Sequence, residues 1–132
     1  MFIINLKILT INKMEYIEKW KTKFTIEERK KESRKLLDRF ERVPVMVDRL
    51  DKHGPVINNH KFLVPYDITI GQFLSIIRKR IELHPSEAIF LFYENGTLVQ
   101  TTQYISQCYK KHQNEDQFLY LFYGLENTFG SF

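Results

Sequence analysis

The chain has a single cysteine, Cys108, among 132 residues. No intrachain disulfide can therefore form, and the sequence fits a reducing compartment such as the cytosol or nucleus. It also lacks a long apolar run. The apolar segment Met1 to Ile11 is far short of the roughly 20 residues that span a bilayer, and it has neither the basic start nor the small-residue cleavage site of a secretory signal. A Gly-rich phosphate loop and a Ser/His/Asp arrangement are both missing. His53, His60 and His84 are scattered among Gly, Asn and Pro neighbours with no ligand spacing, so they read as loop histidines and no metal or cofactor is expected. His112 lies four residues after Cys108 and could share a helical face with it, but a lone cysteine ordinarily behaves as a small buried hydrophobe. Catalysis by this chain is not expected. There is no internal repeat and no interdomain linker.

What is present suffices for one small domain: 43% of the residues are hydrophobic and 14% aromatic, which argues against disorder throughout. The net charge of +4 comes largely from Lys19 to Arg42, where basic residues are interleaved with Glu27, Glu28, Glu32, Asp38 and Glu41. Mixed sign on a helix makes a solvated face with spaced ion pairs. It interrupts the phosphate-tracking stripe that nucleic-acid binding needs, so no nucleic-acid partner is expected.

Ile26, Leu36, Leu37 and Phe40 punctuate a charged stretch of good helix formers, which predicts a surface helix over Thr25 to Phe40 with its far end on the core. Val43, Val45 and Val47 alternate with Pro44 and Met46, a strand with two apolar faces, and Pro44 argues for an edge or strand-start position. Gly54-Pro55 and Asn58-Asn59 mark a loop, and Lys61 to Val64, stopped by Pro65, a short edge strand. Thr69 with Gln72 forms a capping box, opening a helix striped by Ile70, Phe73, Leu74, Ile76, Ile77 and Ile81. Ala88 to Tyr93 reads as a strand, Asn95-Gly96 as a hairpin turn and Thr97 to Val99 as its return. A short helix is expected over Thr102 to Lys110 and a closing strand over Gln117 to Tyr123, with Gly124 releasing the chain. The order predicts an α+β layer: one long helix across a mixed sheet.

Beyond that strand lies Glu126-Asn127-Thr128-Phe129-Gly130-Ser131-Phe132. A chain end of this kind is usually inert. A glycine without a Cβ can nevertheless pass through a channel too narrow for any side chain, so an enzyme could cut after Gly130 or activate its carboxylate.

Several strings, in order and in spacing, resemble the autophagy-related protein 8 family of ubiquitin-like modifiers. They are Arg42-Val43-Pro44-Val45, Lys61-Phe62-Leu63-Val64-Pro65, Asp67-Ile68-Thr69-Ile70-Gly71-Gln72-Phe73, Ile77-Arg78-Lys79-Arg80-Ile81, Phe118-Leu119-Tyr120 and Glu126-Asn127-Thr128-Phe129-Gly130. The similarity covers Ile26 to Gly130. Where relatives often carry a Pro-Pro pair after the Asn-Gly turn this chain has Val99-Gln100, which implies a longer or looser return, and Phe62 stands where many have tyrosine. Residues 1–13 have no counterpart: they are either a lineage addition or untranslated, with Met14 as the initiator.

The resemblance implies a ubiquitin-like β-grasp over 42–125, a helical subdomain over 14–41 before it, and a flexible tail over 126–132. It implies a substrate rather than an enzyme. A cysteine protease would cleave after Gly130, and activating and conjugating enzymes would join that glycine to phosphatidylethanolamine, moving the protein from cytoplasm to autophagosome and vesicle membranes. It further implies that cargo receptors and autophagy factors bind through short aromatic-x-x-aliphatic peptides added to the edge strand. By position, Glu32, Leu36, Pro44, Met46, Lys61, Leu63 and Phe118 would line the aromatic pocket. Phe62, Val64, Pro65, Ile68, Phe73, Ile76 and Ile77 would line the aliphatic one, with Arg42 and Lys61 meeting acidic flanks. Phe90 and Phe92 share one face of their strand. Periodicity leaves open which face is inside; the resemblance implies that they and Phe129 touch the processing enzyme. The alternative is a ubiquitin-like peptide-binding module that is never conjugated.

Overall fold

The computed structural model describes residues 15–126. In chain order these form α1 (Tyr16–Lys23), α2 (Ile26–Arg39), β1 (Arg42–Arg49), β2 (Lys61–Pro65), α3 (Ile70–Arg80), β3 (Ile89–Tyr93), α4 (Ile105–His112) and β4 (Leu119–Leu125). The sheet runs β2-β1-β4-β3. It is mixed, with β1 antiparallel to β2 and parallel to β4, and β3 antiparallel to β4.

The doubly apolar pattern of β1 is explained by two cores, one on each side of the sheet. Val43, Val45 and Val47 point to the side covered by α3 and pack in one cluster with Ile70, Phe73 and Ile77. Met46 points to the other and packs with Ile17 and Trp20 of α1, Phe118 and Tyr120. Removing a large apolar side chain from water is worth about 1.5–3 kcal/mol, so a central strand that serves two cores anchors both layers.

The predicted capping box of α3 is present, Gln72 N donating to Thr69 Oγ1 at 3.2 Å and Thr69 N to Gln72 Oε1 at 2.8 Å. A second box opens α2, between Thr25 and Glu28. Helix α1, not separately expected within the N-terminal helical stretch, is fixed by Ile17 and Trp20, both buried, with Phe24 packed beside them.

Four local expectations are corrected. Pro44 is the third residue of a central strand, not of an edge strand. Leu50 N donates to Tyr123 O at 2.8 Å, and stepping back along this parallel ladder in twos puts the nitrogen of Pro44 opposite the Gln117 carbonyl. That carbonyl takes the Tyr109 hydroxyl instead, at 2.8 Å, so the missing N–H leaves no acceptor empty. The return after the hairpin is not a strand: Tyr93 N donates to Thr97 O, Val99 N donates to Leu91 O, and Leu98 makes an isolated bridge to Phe92. Gly96, at φ +86, makes the turn itself.

The short helix begins at Ile105 rather than Thr102, because the carbonyls before it serve another element: Gln103 O accepts from Ile70 N at 2.8 Å and Thr101 O from Gly71 N at 3.0 Å. These are orphan donors at the start of α3. Finally, β4 begins at Leu119 and does not stop at Gly124, because β3 continues alongside it, Phe90 opposite Gly124 and Ile89 opposite Leu125.

Cys108 is 1% exposed, and burial pushes its thiol pKa up. Iodoacetamide is expected to modify it at least about a hundredfold more slowly in the native protein than in urea-unfolded protein. Comparable rates, read by intact mass, would contradict its placement in the core.

Candidate functional site

Strand β2 ends the sheet, and its outer edge is paired with no other strand among the described residues. Val47 N donates to His60 O at 2.8 Å, which assigns Val45–Phe62 and Val43–Val64 to the hydrogen-bonded pairs of the β1–β2 ladder. Lys61 and Leu63 therefore aim their backbone groups outward. The Leu63 carbonyl accepts from Arg42 Nη1 at 3.3 Å, and Lys61 N has a long 3.4 Å contact with Asn59 Oδ1. An edge of this kind offers a ladder to an incoming extended segment.

Because side chains alternate, the two sets of expected pocket residues fall on opposite faces of that edge. Lys61 and Leu63 lie opposite Met46 and Pro44, on the face covered by α1 and α2. Met46 and Phe118 are wholly buried and Pro44 is buried, so they could only floor a pocket, while Glu32, Leu36, Lys61 and Leu63 are half-buried at its rim. Lys61 Nζ lies 2.8 Å from Glu32 Oε1 and 4.2 Å above the ring of Trp20. Beside this rim, along α2, a cavity of about 520 Å³ is lined by Phe24, Glu28, Lys31, Glu32 and Lys35.

On the other face, Phe62 and Val64 lie opposite Val45 and Val43. Val64, Phe73 and Ile77 are core residues; Phe62, Pro65 and Ile68 are half-buried, and Ile76 is exposed. The Phe62 ring stands edge-on to Phe73 with centroids 5.5 Å apart, and the Arg80 guanidinium lies 5.9 Å from it. On both faces only part of each expected set reaches the surface.

Trp20 is the site-adjacent residue that sequence reasoning missed. Its Nε1 donates to Tyr120 Oη at 3.0 Å, and it packs edge-on to Phe118 at 5.8 Å. The signal was legible: the sole tryptophan of the chain sits at helical spacing from Ile17 and Phe24.

Two buried carboxylates hold the helices that flank this face. Asp116 accepts from Arg29 Nη1 of α2 at 2.6 Å, from Phe118 N at 2.9 Å and from the Tyr120 hydroxyl, while its backbone carbonyl takes the buried Ser33 hydroxyl at 2.6 Å. Burial, reinforced by that carboxylate, pushes the Tyr120 hydroxyl pKa well up, so it stays a donor. Asp48 of β1 accepts from Ile17 N at 3.1 Å, in the first turn of α1, where the side chain of Glu15 at the N-cap makes no capping bond. The sheet thus caps this helix. Burial pushes the Asp48 carboxyl pKa up, and the Ile17 and Arg49 N–H groups oppose the rise.

Phe90 and Phe92 do share a face, half-buried on the side away from Ile89, Leu91 and Tyr93, which are in the core. Phe129 and Gly130 lie outside the described residues. No group of three or more His, Cys, Asp or Glu side chains among the described residues could hold a metal, and no described helix is long and apolar enough to cross a membrane.

Comparison with known proteins places this geometry. The family model described as autophagy protein Atg8, ubiquitin-like, matches residues 28–130. The chain is 46% identical over 113 residues to autophagy-related protein 8 of Saccharomyces cerevisiae, covering 84% of this chain and 96% of that protein. It is 42% identical over 118 residues to autophagy-related protein 8d of Arabidopsis thaliana, covering 88% and 98%. The crystal structure of Trypanosoma brucei ATG8 superposes with a TM-score of 0.76 at 34% identity, covering 82% of this chain and 94% of that one.

Proposed function

The chain belongs to the Atg8 family of ubiquitin-like autophagy proteins, and from that premise we propose that it is a lipid-conjugated modifier whose working end is Gly130. A cysteine protease hydrolyses the bond between Gly130 and Ser131, releasing Ser-Phe and freeing the glycine carboxylate. Adenylation activates that carboxylate, enzyme thioesters carry the acyl group, and the amine of phosphatidylethanolamine displaces the last thiolate to form an amide. The protein is the substrate at every step. The observation that carries this reading is that the family match runs through Gly130 and leaves Ser131 and Phe132 outside it.

Conjugation would make a protein with no spanning helix among its described residues membrane-bound. Two acyl chains bury far more apolar area than a single myristoyl chain, which is marginal alone. The half-buried Phe90 and Phe92, with Phe129, would form the contact for the processing enzyme.

At the membrane, the free edge of β2 recruits cargo receptors and autophagy factors. An aromatic-x-x-aliphatic peptide adds its backbone to Lys61 and Leu63. Its aromatic residue enters between α2 and β2, over the floor made by Pro44, Met46 and Phe118, and its aliphatic residue rests on Phe62, Pro65, Ile68 and Ile76. Arg42 and Lys61 attract acidic flanks.

The test is the intact mass of the full-length protein after incubation with lysate of its own cells. Loss of the mass of Ser131 plus Phe132 is expected. An unchanged mass beside a demonstrably active protease would leave an unconjugated peptide-binding module.

A further inference from the structure

The exposed apolar surface does not end with the expected aliphatic pocket. Past Pro65 the chain runs along the end of the sheet beside α4: the Tyr66 carbonyl accepts from Ser106 N at 3.3 Å, the Ile68 carbonyl from Ile105 N at 2.9 Å, and Thr69 makes an isolated bridge to Tyr104. Ile68 packs on the core that Ile105 shares with α3, so this segment lies on the same side of the sheet as Phe62 and Val64. Eight large apolar side chains are exposed among the described residues, and three of them belong to this corner: Tyr66 at 40%, Tyr104 at 48% and Ile76 of α3 at 37%. A single exposed apolar side chain needs no explanation, but a group of them does.

What would cover this corner follows from strand geometry. An extended peptide on the β2 edge turns successive side chains to opposite faces. The two anchors of an aromatic-x-x-aliphatic peptide are three positions apart, an odd number, so they fall on opposite faces, as the two sets of pocket residues do. The aromatic set takes Lys61 and Leu63 from β2, and the aliphatic set takes Phe62, Val64, Pro65 and, past the strand, Ile68. The peptide therefore runs in the direction of β2. Its second residue after the aliphatic anchor faces the α3 side again, about 6.6 Å further along, which carries it past Pro65 to Tyr66. Pro65 has no N–H, so the edge holds the peptide there by side chains rather than by its ladder.

We infer that the peptide site extends past the aliphatic pocket onto Tyr66 and Tyr104, and that this extension takes a third anchor, a large apolar residue two positions after the aliphatic one. The inference rests on the peptide-binding reading above and names which of those peptides bind best. Chemistry selects the anchor: two aromatic rings beside Ile76 offer apolar area, and the exposed Asp67 next to Tyr66 disfavours an acidic residue at this end of the groove. Covering about half of a large apolar side chain corresponds to about five- to tenfold in affinity. Peptides with the same first two anchors would thus be ranked by a residue that neither pocket touches.

Fluorescence anisotropy with two labelled synthetic peptides, Phe-x-x-Leu-x-Leu and Phe-x-x-Leu-x-Ser with identical residues at x, tests the extension on the full-length chain. The wild type is expected to bind the first about five- to tenfold more tightly. In a variant carrying Tyr66→Ser and Tyr104→Ser, both exposed positions outside the two pockets, that preference should fall below about twofold, while affinity for the serine peptide stays at the wild-type value. Tyr66→Phe alone should keep the preference, since the ring and not the hydroxyl makes the surface. Equal binding of the two peptides by the wild type would overturn the third anchor and leave the two-pocket reading standing. A preference that survives in the double serine variant would overturn the assignment to Tyr66 and Tyr104. Binding of neither peptide would overturn the peptide reading, and the extension with it.

Discussion

Replacing Gly130 with alanine is expected to abolish membrane association of the protein while leaving its peptide binding unchanged. The argument turns on one methyl group. A backbone without a Cβ threads sites that admit no side chain, and it reaches dihedrals that alanine avoids. Protease and conjugating enzymes must each bring the same carbonyl to a catalytic thiol, so a Cβ there obstructs successive steps. The described fold ends before this residue, and no core contact among the described residues depends on it. Fractionation of cells expressing Gly130→Ala should therefore find it wholly in the soluble fraction, and titration with an aromatic-x-x-aliphatic peptide should give the wild-type affinity. Membrane recovery equal to wild type would refute conjugation through Gly130. Loss of peptide binding as well would point to misfolding instead.

The second large effect is on stability. Asp116→Ala is expected to lower unfolding free energy by about 3–5 kcal/mol, the usual result of removing one partner from a buried charge pair. The Asp116 side chain is wholly buried and that of Arg29 is 12% exposed. Without the carboxylate the guanidinium, the Tyr120 hydroxyl and the Phe118 amide each lose an acceptor. For a chain of this size the melting temperature should fall by roughly 10 °C or more. Asp116→Asn, which keeps an oxygen acceptor but not the charge, should cost less. Thermal unfolding of the three proteins decides: a fall under about 1 kcal/mol for the alanine variant would mean water replaces the network.

Most of the fold was legible because its strongest signals are local. The capping box at Thr69, the Asn95-Gly96 turn and the valine alternation of β1 each follow from dihedral preference or side-chain period. What escaped depends on partners distant in sequence. Pro44 looked like an edge residue because nothing local announces that Tyr109 will satisfy the facing carbonyl. Gly124 looked like a stop because the ladder that carries β4 past it belongs to β3. The α4 start slipped by three residues because the intervening carbonyls are committed to α3. At the candidate site, the two sets of pocket residues came from the family resemblance, and their β2 members alternate along the strand, Lys61 and Leu63 on one face and Phe62 and Val64 on the other. Position in the sequence could not say that Met46, Phe73, Phe118 and Ile77 would be fully enclosed, nor that Trp20 would stand beside Lys61.

The pairing of Trp20 with Tyr120 joins residues 100 positions apart, and the parallel union of β1 with β4 joins Val45 to Leu119. Neither core can close until almost the entire polypeptide has been synthesised. A nascent chain therefore holds β1, with both of its apolar faces uncovered, for most of its translation, and such a topology folds slowly for its length.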